Sequence, residues 1–269
     1  MIKNTQETEI VQEITREKVD NTGIKAPVGF LLIHKPLVIT SFDCIRHIKK
    51  VLKMKTKIGH AGTLDDFAQG LLLIGIGREA TRMITQLTNL DKAYEVKAKL
   101  GELTDSLDFN GKILETQEVP ALTLNTIQQA IDALGKSYDQ IPPIYSALKH
   151  EGRPLYKLAR NNLLSDEKLT EIAQTKSRTV TIHEIKLLDY QEPFFTFTAH
   201  VSKGTYIRSL ADDIAQKLQL RATTLELSRT NIGPLSLGQA VKLEDLKTRQ
   251  DLENKIISIE MLQGLLQKF

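Results

Sequence analysis

Lys57-Ile58-Gly59-His60-Ala61-Gly62-Thr63-Leu64-Asp65-Asp66-Phe67-Ala68-Gln69-Gly70-Leu71-Leu72 is the stretch on which the reading of this chain turns. Residues 59–65 combine two glycines, a histidine and a carboxylate, and neither a helical nor a two-residue apolar period runs through them. A segment of that kind is a loop able to deliver reactive groups. The glycines do not make a nucleotide triphosphate cradle, because no Gly-Lys-Ser/Thr follows, and the Gly-x-Gly-x-x-Gly of dinucleotide folds is absent. Taken alone, Asp65 reads as the N-cap of a helix running through Ala68 to Leu73.

Upstream, Phe30-Leu31-Leu32-Ile33 reads as a strand that runs into His34-Lys35-Pro36, where proline forbids a central strand and a loop is expected to present Lys35. Ser41 offers an N-cap to a helix with Ile45, Ile48, Val51 and Leu52 on one face and Arg46, Lys49, Lys50 and Lys53 on the others. Downstream, Tyr94 to Leu100 alternates as a half-buried strand should. Thr123 caps a helix with Ile127, Ala130, Ile131 and Leu134 inward, and Gly135 closes it. Strands are expected over Val180 to Ile185 and Phe194 to Val201, a helix over Ile207 to Leu218, and helical pieces over Leu243 to Phe269. Before Gly23, Ile10, Val11, Ile14 and Val19 stand among charges and support at most a weak helix in a loosely docked extension. Without a regular βαβ beat, the fold class is α/β of the α+β kind: a mixed, largely antiparallel central sheet flanked by helices. The organisation that follows is a polar extension (1–27), a catalytic domain (28–240) and a short helical segment (241–269).

Composition bounds the class and not the chemistry. With 269 residues, 41% hydrophobic and 26% charged, the chain can bury a sizeable core. Its net charge of +3 is too small to identify a polyanionic partner, so the placement of charge decides. Arg46, Lys49, Lys50, Lys53, Lys55 and Lys57 face only Asp43 as local acid, and Lys149, His150, Arg153, Tyr156, Lys157 and Arg160 mix cations with aromatics, as an RNA track does. The single Cys44 excludes an internal disulfide and a multi-cysteine zinc site. Residues 1–22 lack the apolar centre of a signal peptide and Leu71 to Ile76 is too short to span a bilayer, so a cytoplasmic protein without membrane association is expected. The six histidines show no metal-ligand spacing; chemistry by side chains alone, with neither metal nor cofactor, is expected.

The Lys57 to Leu72 segment resembles the catalytic motif of the TruB family of tRNA pseudouridine synthases, in which the aspartate of the Leu-Asp pair is the nucleophile. Further blocks match in the same order: Gly29 to Pro36, Lys92-Ala93-Tyr94, Gly101 to Gly111, Gln140 to Arg160, Ser202 to Arg208 and Arg229-Thr230, so that the resemblance spans about residues 29 to 260. It implies the pseudouridine synthase fold and the isomerisation of uridine 55 in the tRNA T-loop. By position, Asp65 is the expected nucleophile, His60 a contact to the reorganised RNA loop, Tyr94 the ring that stacks on the base, and Arg208 the partner of Asp65. Tyr206 and Leu227 resemble the remaining base-pocket contacts, and Lys35 with Pro36 the support of the catalytic loop. The implied partner is the tRNA T-arm, bound by a monomer with no obligate protein partner.

Those assignments suit the chemistry. Cleaving the bond between N1 and the ribose leaves positive character on the sugar that an ionised carboxylate stabilises or traps, and a neighbouring guanidinium favours the ionised form. A proton must later leave C5, for which a tyrosine on the ring is a candidate. Three departures from the family pattern stand out: Val38 where glycine is common, Asp66 in place of the proline after the nucleophile, and Asn161-Asn162 in place of a glycine-containing pair. Asp66 is expected to point away, since a second carboxylate beside Asp65 opposes its ionisation. No room for a small C-terminal RNA-binding domain of the PUA type is expected, and with it a weaker grip on the acceptor arm. Two competitors to the isomerase are an RNA-folding chaperone of the same fold that lost turnover, and a nucleoside hydrolase that releases uracil.

Overall fold

A computed structural model describes residues 25–268; of the expected extension over residues 1–27 all but 25–27 lies outside them. The chain order begins β1 (Gly29–Lys35), α1 (Ser41–Leu52), β2 (Ile58–His60), β3 (Gln69–Ile76), α2 (Arg78–Thr88) and β4 (Lys92–Leu100). A two-stranded flap, β5 (Glu102–Thr104) and β6 (Ile113–Thr116), leads to α3 (Leu124–Asp132) and β7 (Ser137–Gln140). A small hairpin, β8 (Lys149–His150) and β9 (Arg153–Pro154), precedes α4 (Leu155–Arg160) and α5 (Asp166–Thr175). The chain then runs through β10 (Arg178–Gln191), β11 (Phe194–Val201), α6 (Ile207–Gln216), β12 (Ala222–Ile232), β13 (Leu235–Ser236), β14 (Val241–Lys242), α7 (Arg249–Glu253) and α8 (Ile259–Gln267).

The main sheet has the order β14-β1-β3-β12-β4-β11-β10-β7. Its pairs are antiparallel except β1 with β14 and β3 with β12, as the fold class anticipated. The two halves differ in burial, and the sequence shows why. β4 and β11 alternate, placing Tyr94, Val96, Ala98, Phe195, Phe197 and Ala199 against α3 and α6, whereas β1 and β3 are apolar almost throughout because layers cover both faces. Leu31, Ile33, Leu72 and Ile74 pack on α1; Phe30, Leu32, Leu71 and Leu73 pack with α2 and α8. Continuous apolar runs are what doubly covered strands require. The segment from residue 241 onward joins these same cores through Leu246, Leu252 and Leu262, all buried.

Several local expectations are corrected. The segment from Gln69 to Ile76 is a strand, so Asp65 caps no helix there. The N-cap of α1 is Thr40, which forms a capping box with Asp43, and Ser41 is the first helical residue. Lys35 ends β1 and is fully buried instead of displayed on a loop, because its ammonium has backbone carbonyls to satisfy it. Thr123 does cap α3, and Gly135 follows with φ +71°. Among the described residues no helix is long and apolar enough to cross a membrane.

Candidate active site

The loop between β2 and β3 is tied down on every side. Ala61 N donates to Leu73 O at 2.8 Å. Arg229, buried in β12, donates through Nη2 to Gly62 O at 3.1 Å, through Nη1 to Thr63 O at 3.4 Å and through Nε to Leu71 O at 2.8 Å. Ser41 Oγ donates to Leu64 O and accepts from Leu64 N, at 3.0 and 2.9 Å. Asp66 O accepts from Val38 N at 2.9 Å and from Lys35 Nζ at 3.4 Å. Lys35 also donates to Ile39 O at 2.6 Å, and burial pulls its ammonium down to about 8. Backbone held from four directions fixes the course of the loop, with the Asp65 side chain in the cleft lining.

Asp65 Oδ2 lies 2.9 Å from Arg208 Nε, with the arginine side chain 6% and the aspartate 39% exposed. The contrast matters: the guanidinium is a fixed wall and the carboxylate is reachable. Arg208, at the start of α6, is held by Tyr145 O at 2.9 Å, by Asp108 Oδ2 at 3.3 Å and by Ser106 O. The Asp108 carboxyl is pushed up by burial, against the opposing pull of Arg208. Its turn depends on Gly111, where a Cβ would stand 2.4 Å from Ser106 Oγ. Asp66 does not compete for Arg208; its Oδ1 accepts from Phe67 N at 2.8 Å and its side chain is exposed.

The other anticipated residues surround the same cleft of about 1020 Å³, whose lining includes His60, Asp65, Tyr94, Tyr206, Arg208 and Leu227. Lys35 is not in the lining and acts from behind the loop. Tyr94 is 7% exposed and sits in β4 opposite Arg229 of β12. His60 is kept towards its neutral form by burial and then by Arg229. Tyr206 precedes α6 under the Arg178 guanidinium, 4.8 Å from its ring centroid. Its backbone is clamped by Gln140, which accepts from Tyr206 N at 2.8 Å and donates to Tyr206 O at 3.2 Å. Gln140 also meets Asp213, whose Oδ2 accepts from Tyr138 Oη at 2.6 Å and whose carboxyl burial raises to about 6. Exposed Phe42 and Tyr156 flank the mouth, and Lys49, Lys50, Lys53, Lys55 and Lys57 are exposed along α1 and beyond it.

The family profile described as TruB family pseudouridylate synthase (N terminal domain) matches residues 49–207, more than half of the chain. The chain belongs to the TruB family. It is 38% identical over 232 residues to tRNA pseudouridine synthase B of Clostridium tetani, covering 86% of this chain and 76% of that protein. The same-named protein of Clostridium acetobutylicum is 41% identical over 232 residues with the same shares. Among solved structures, a chain in the crystal structure of the archaeal box H/ACA sRNP Nop10-Cbf5 complex superposes with a TM-score of 0.61 at 22% identity. That match covers 89% of this chain and 61% of the archaeal one, so this TruB chain spans less than two thirds of it and shares its fold. Asp108, Arg229 and Gln140 are the members of the site whose parts were not assigned from sequence. Asp108 and Gln140 lie in family-like blocks, and Arg229 in the Arg229-Thr230 match, but their work on backbone carbonyls and on Arg208 leaves no periodic signal.

Proposed function

We propose that this TruB chain is a tRNA pseudouridine synthase that converts uridine 55 of the T-loop to pseudouridine, with Asp65 as nucleophile on an everted base. The observation that carries the reading is the pairing of one reachable carboxylate, Asp65, with a buried and fully clamped guanidinium, Arg208. Arg208 Nε meets the carboxylate at 2.9 Å without being free to follow it. The carboxylate is thus positioned to meet positive character as the N1 bond to the ribose breaks. Tyr94 and Leu227 offer the base an aromatic and an aliphatic surface, and His60 and Tyr206 border the same space. Eversion costs a few kcal/mol, which stacking and contacts from the basic residues of α1 offset. No step of this scheme calls for a cofactor.

We also infer that the protein acts as a monomer in the cytoplasm, where its buried thiol, Cys44, stays free. Incubating unmodified tRNA with the purified protein and analysing nucleosides tests the reaction. Pseudouridine at position 55 is expected from the parent chain and none from Asp65→Asn. Isomerised product from Asp65→Asn, free uracil, or refolded tRNA without product would each overturn the assignment.

A further inference from the structure

A second group of ligating side chains lies on the sheet face turned away from the core that contains Tyr94. β10 and β11 pair Ile182 with Val201 and Glu184 with His200, which leaves His183 as the extra residue of a bulge. Ile182, Ile185, Ala199 and Val201 belong to the core. His200, between two core residues of its strand, therefore faces outward, and the bulge turns His183 to the same side. Asp91 immediately precedes β4, whose Lys92 pairs with Val201. Its position is fixed by Gly233 N, which donates to Asp91 O at 2.8 Å.

These three residues converge. The two imidazole rings have centroids 4.7 Å apart at 43°, His183 Nε2 is 2.9 Å from Asp91 Oδ2, and one ligand atom from each of the three lies within 4.8 Å of the others. A simple ion pair uses one imidazole; here a second ring stands beside it, within reach of the same carboxylate. Two imidazole nitrogens and a carboxylate oxygen are a set that suits Zn(II), with metal–ligand distances of about 2.0–2.2 Å and a fourth position open. Around a tetrahedral ion such atoms stand about 3.3 Å apart, so side-chain rotation alone closes the site; all three residues are accessible enough to rotate.

We propose that Asp91, His183 and His200 form a binding site for a divalent transition-metal ion of the Zn(II) type, with water in the open position. The ion ties the start of β4 to the β10–β11 hairpin, three residues before Tyr94. The sequence hides it because its ligands come from three separate segments. The test is titration of the metal-stripped full chain with Co(II) alone, read by visible absorption, and with Zn(II) alone, read by calorimetry. One equivalent is expected to bind, with affinity falling at least about tenfold in each of His183→Ala, His200→Ala and Asp91→Asn. His34→Ala and His150→Ala, outside the cluster, are expected to bind as the parent does. Binding that is absent in the parent, or that survives all three cluster substitutions, overturns the site. Circular dichroism of each variant separates lost ligation from lost folding, and the accessible Asp91→Asn keeps the proposal testable if a histidine variant misfolds.

Discussion

Arg208→Lys keeps a positive charge and removes a fork, which makes it the sharpest probe of the cleft. The guanidinium spreads four contacts over Asp65, Asp108, Ser106 O and Tyr145 O. A lysine brings one nitrogen to that space and cannot face Asp65 while also serving the buried acceptors behind it. Each acceptor left without a donor costs about 1–3 kcal/mol; water entering from the cleft relieves those nearest Tyr145, so a net loss of about 2–4 kcal/mol is expected. The measurement is the urea midpoint with the slope checked for constancy. On the role proposed for Asp65, catalysis suffers separately, because a displaced carboxylate loses its angle of approach, and a displacement of about 1 Å costs on the order of 100-fold in rate. Single-turnover formation of pseudouridine, with enzyme in saturating excess over tRNA and the fold verified by circular dichroism, reads that loss in the rate constant of the chemical step while tRNA affinity changes little. A variant that loses the stability but keeps the rate within about threefold would refute the claim that Arg208 aims the carboxylate.

Two further outcomes follow from backbone and burial. Val38 has φ +73° and is 87% exposed, so its β-branched side chain sits in a left-handed conformation with almost no burial to offset about 1–2 kcal/mol of strain. Val38→Gly is expected to stabilise by about 0.5–1 kcal/mol after the entropy of glycine is deducted, raising the melting temperature by a few degrees, whereas Val38→Ala, which keeps a Cβ, gains less; a lower melting temperature for the glycine variant contradicts this. Asp213, raised to about 6 by burial, contributes stability that is fully present below about pH 3.8 and lost as pH rises through 6. Asp213→Asn therefore gains on the parent by on the order of 2 kcal/mol at pH 7–8 and matches it near pH 4, as urea unfolding across that range will register.

The reactive loop, the strands at Tyr94 and Phe194, and the cap at Thr123 were legible because local pattern and tertiary role agree there. β3 was not, since Leu71-Leu72-Leu73-Ile74 is covered on both faces and carries no alternation. β12 was missed for another reason. Register shifts between Thr224 and Glu226 and between Arg229 and Asn231 break its period, though it is the strand that joins the two halves of the sheet. Thr40 and Ser41 are adjacent capping candidates; Thr40 takes the cap through its box with Asp43, while Ser41 Oγ is engaged by Leu64. The family's glycine positions fared better: Asn162 takes φ +48°, a conformation asparagine tolerates, while Val38 keeps the glycine-like angle at a cost.

β3 and β12 touch through two residue pairs, Gln69 with Ser228 and Gly70 with Arg229, and a Cβ on residue 70 would stand 2.4 Å from Arg229 O. Asp65 hangs from this weld, since the arginine that closes it also grips Gly62 and Thr63. The chemistry is therefore soldered to the continuity of the sheet. A substitution that parts Gly70 from Arg229 would disturb the loop carrying Asp65 together with the seam.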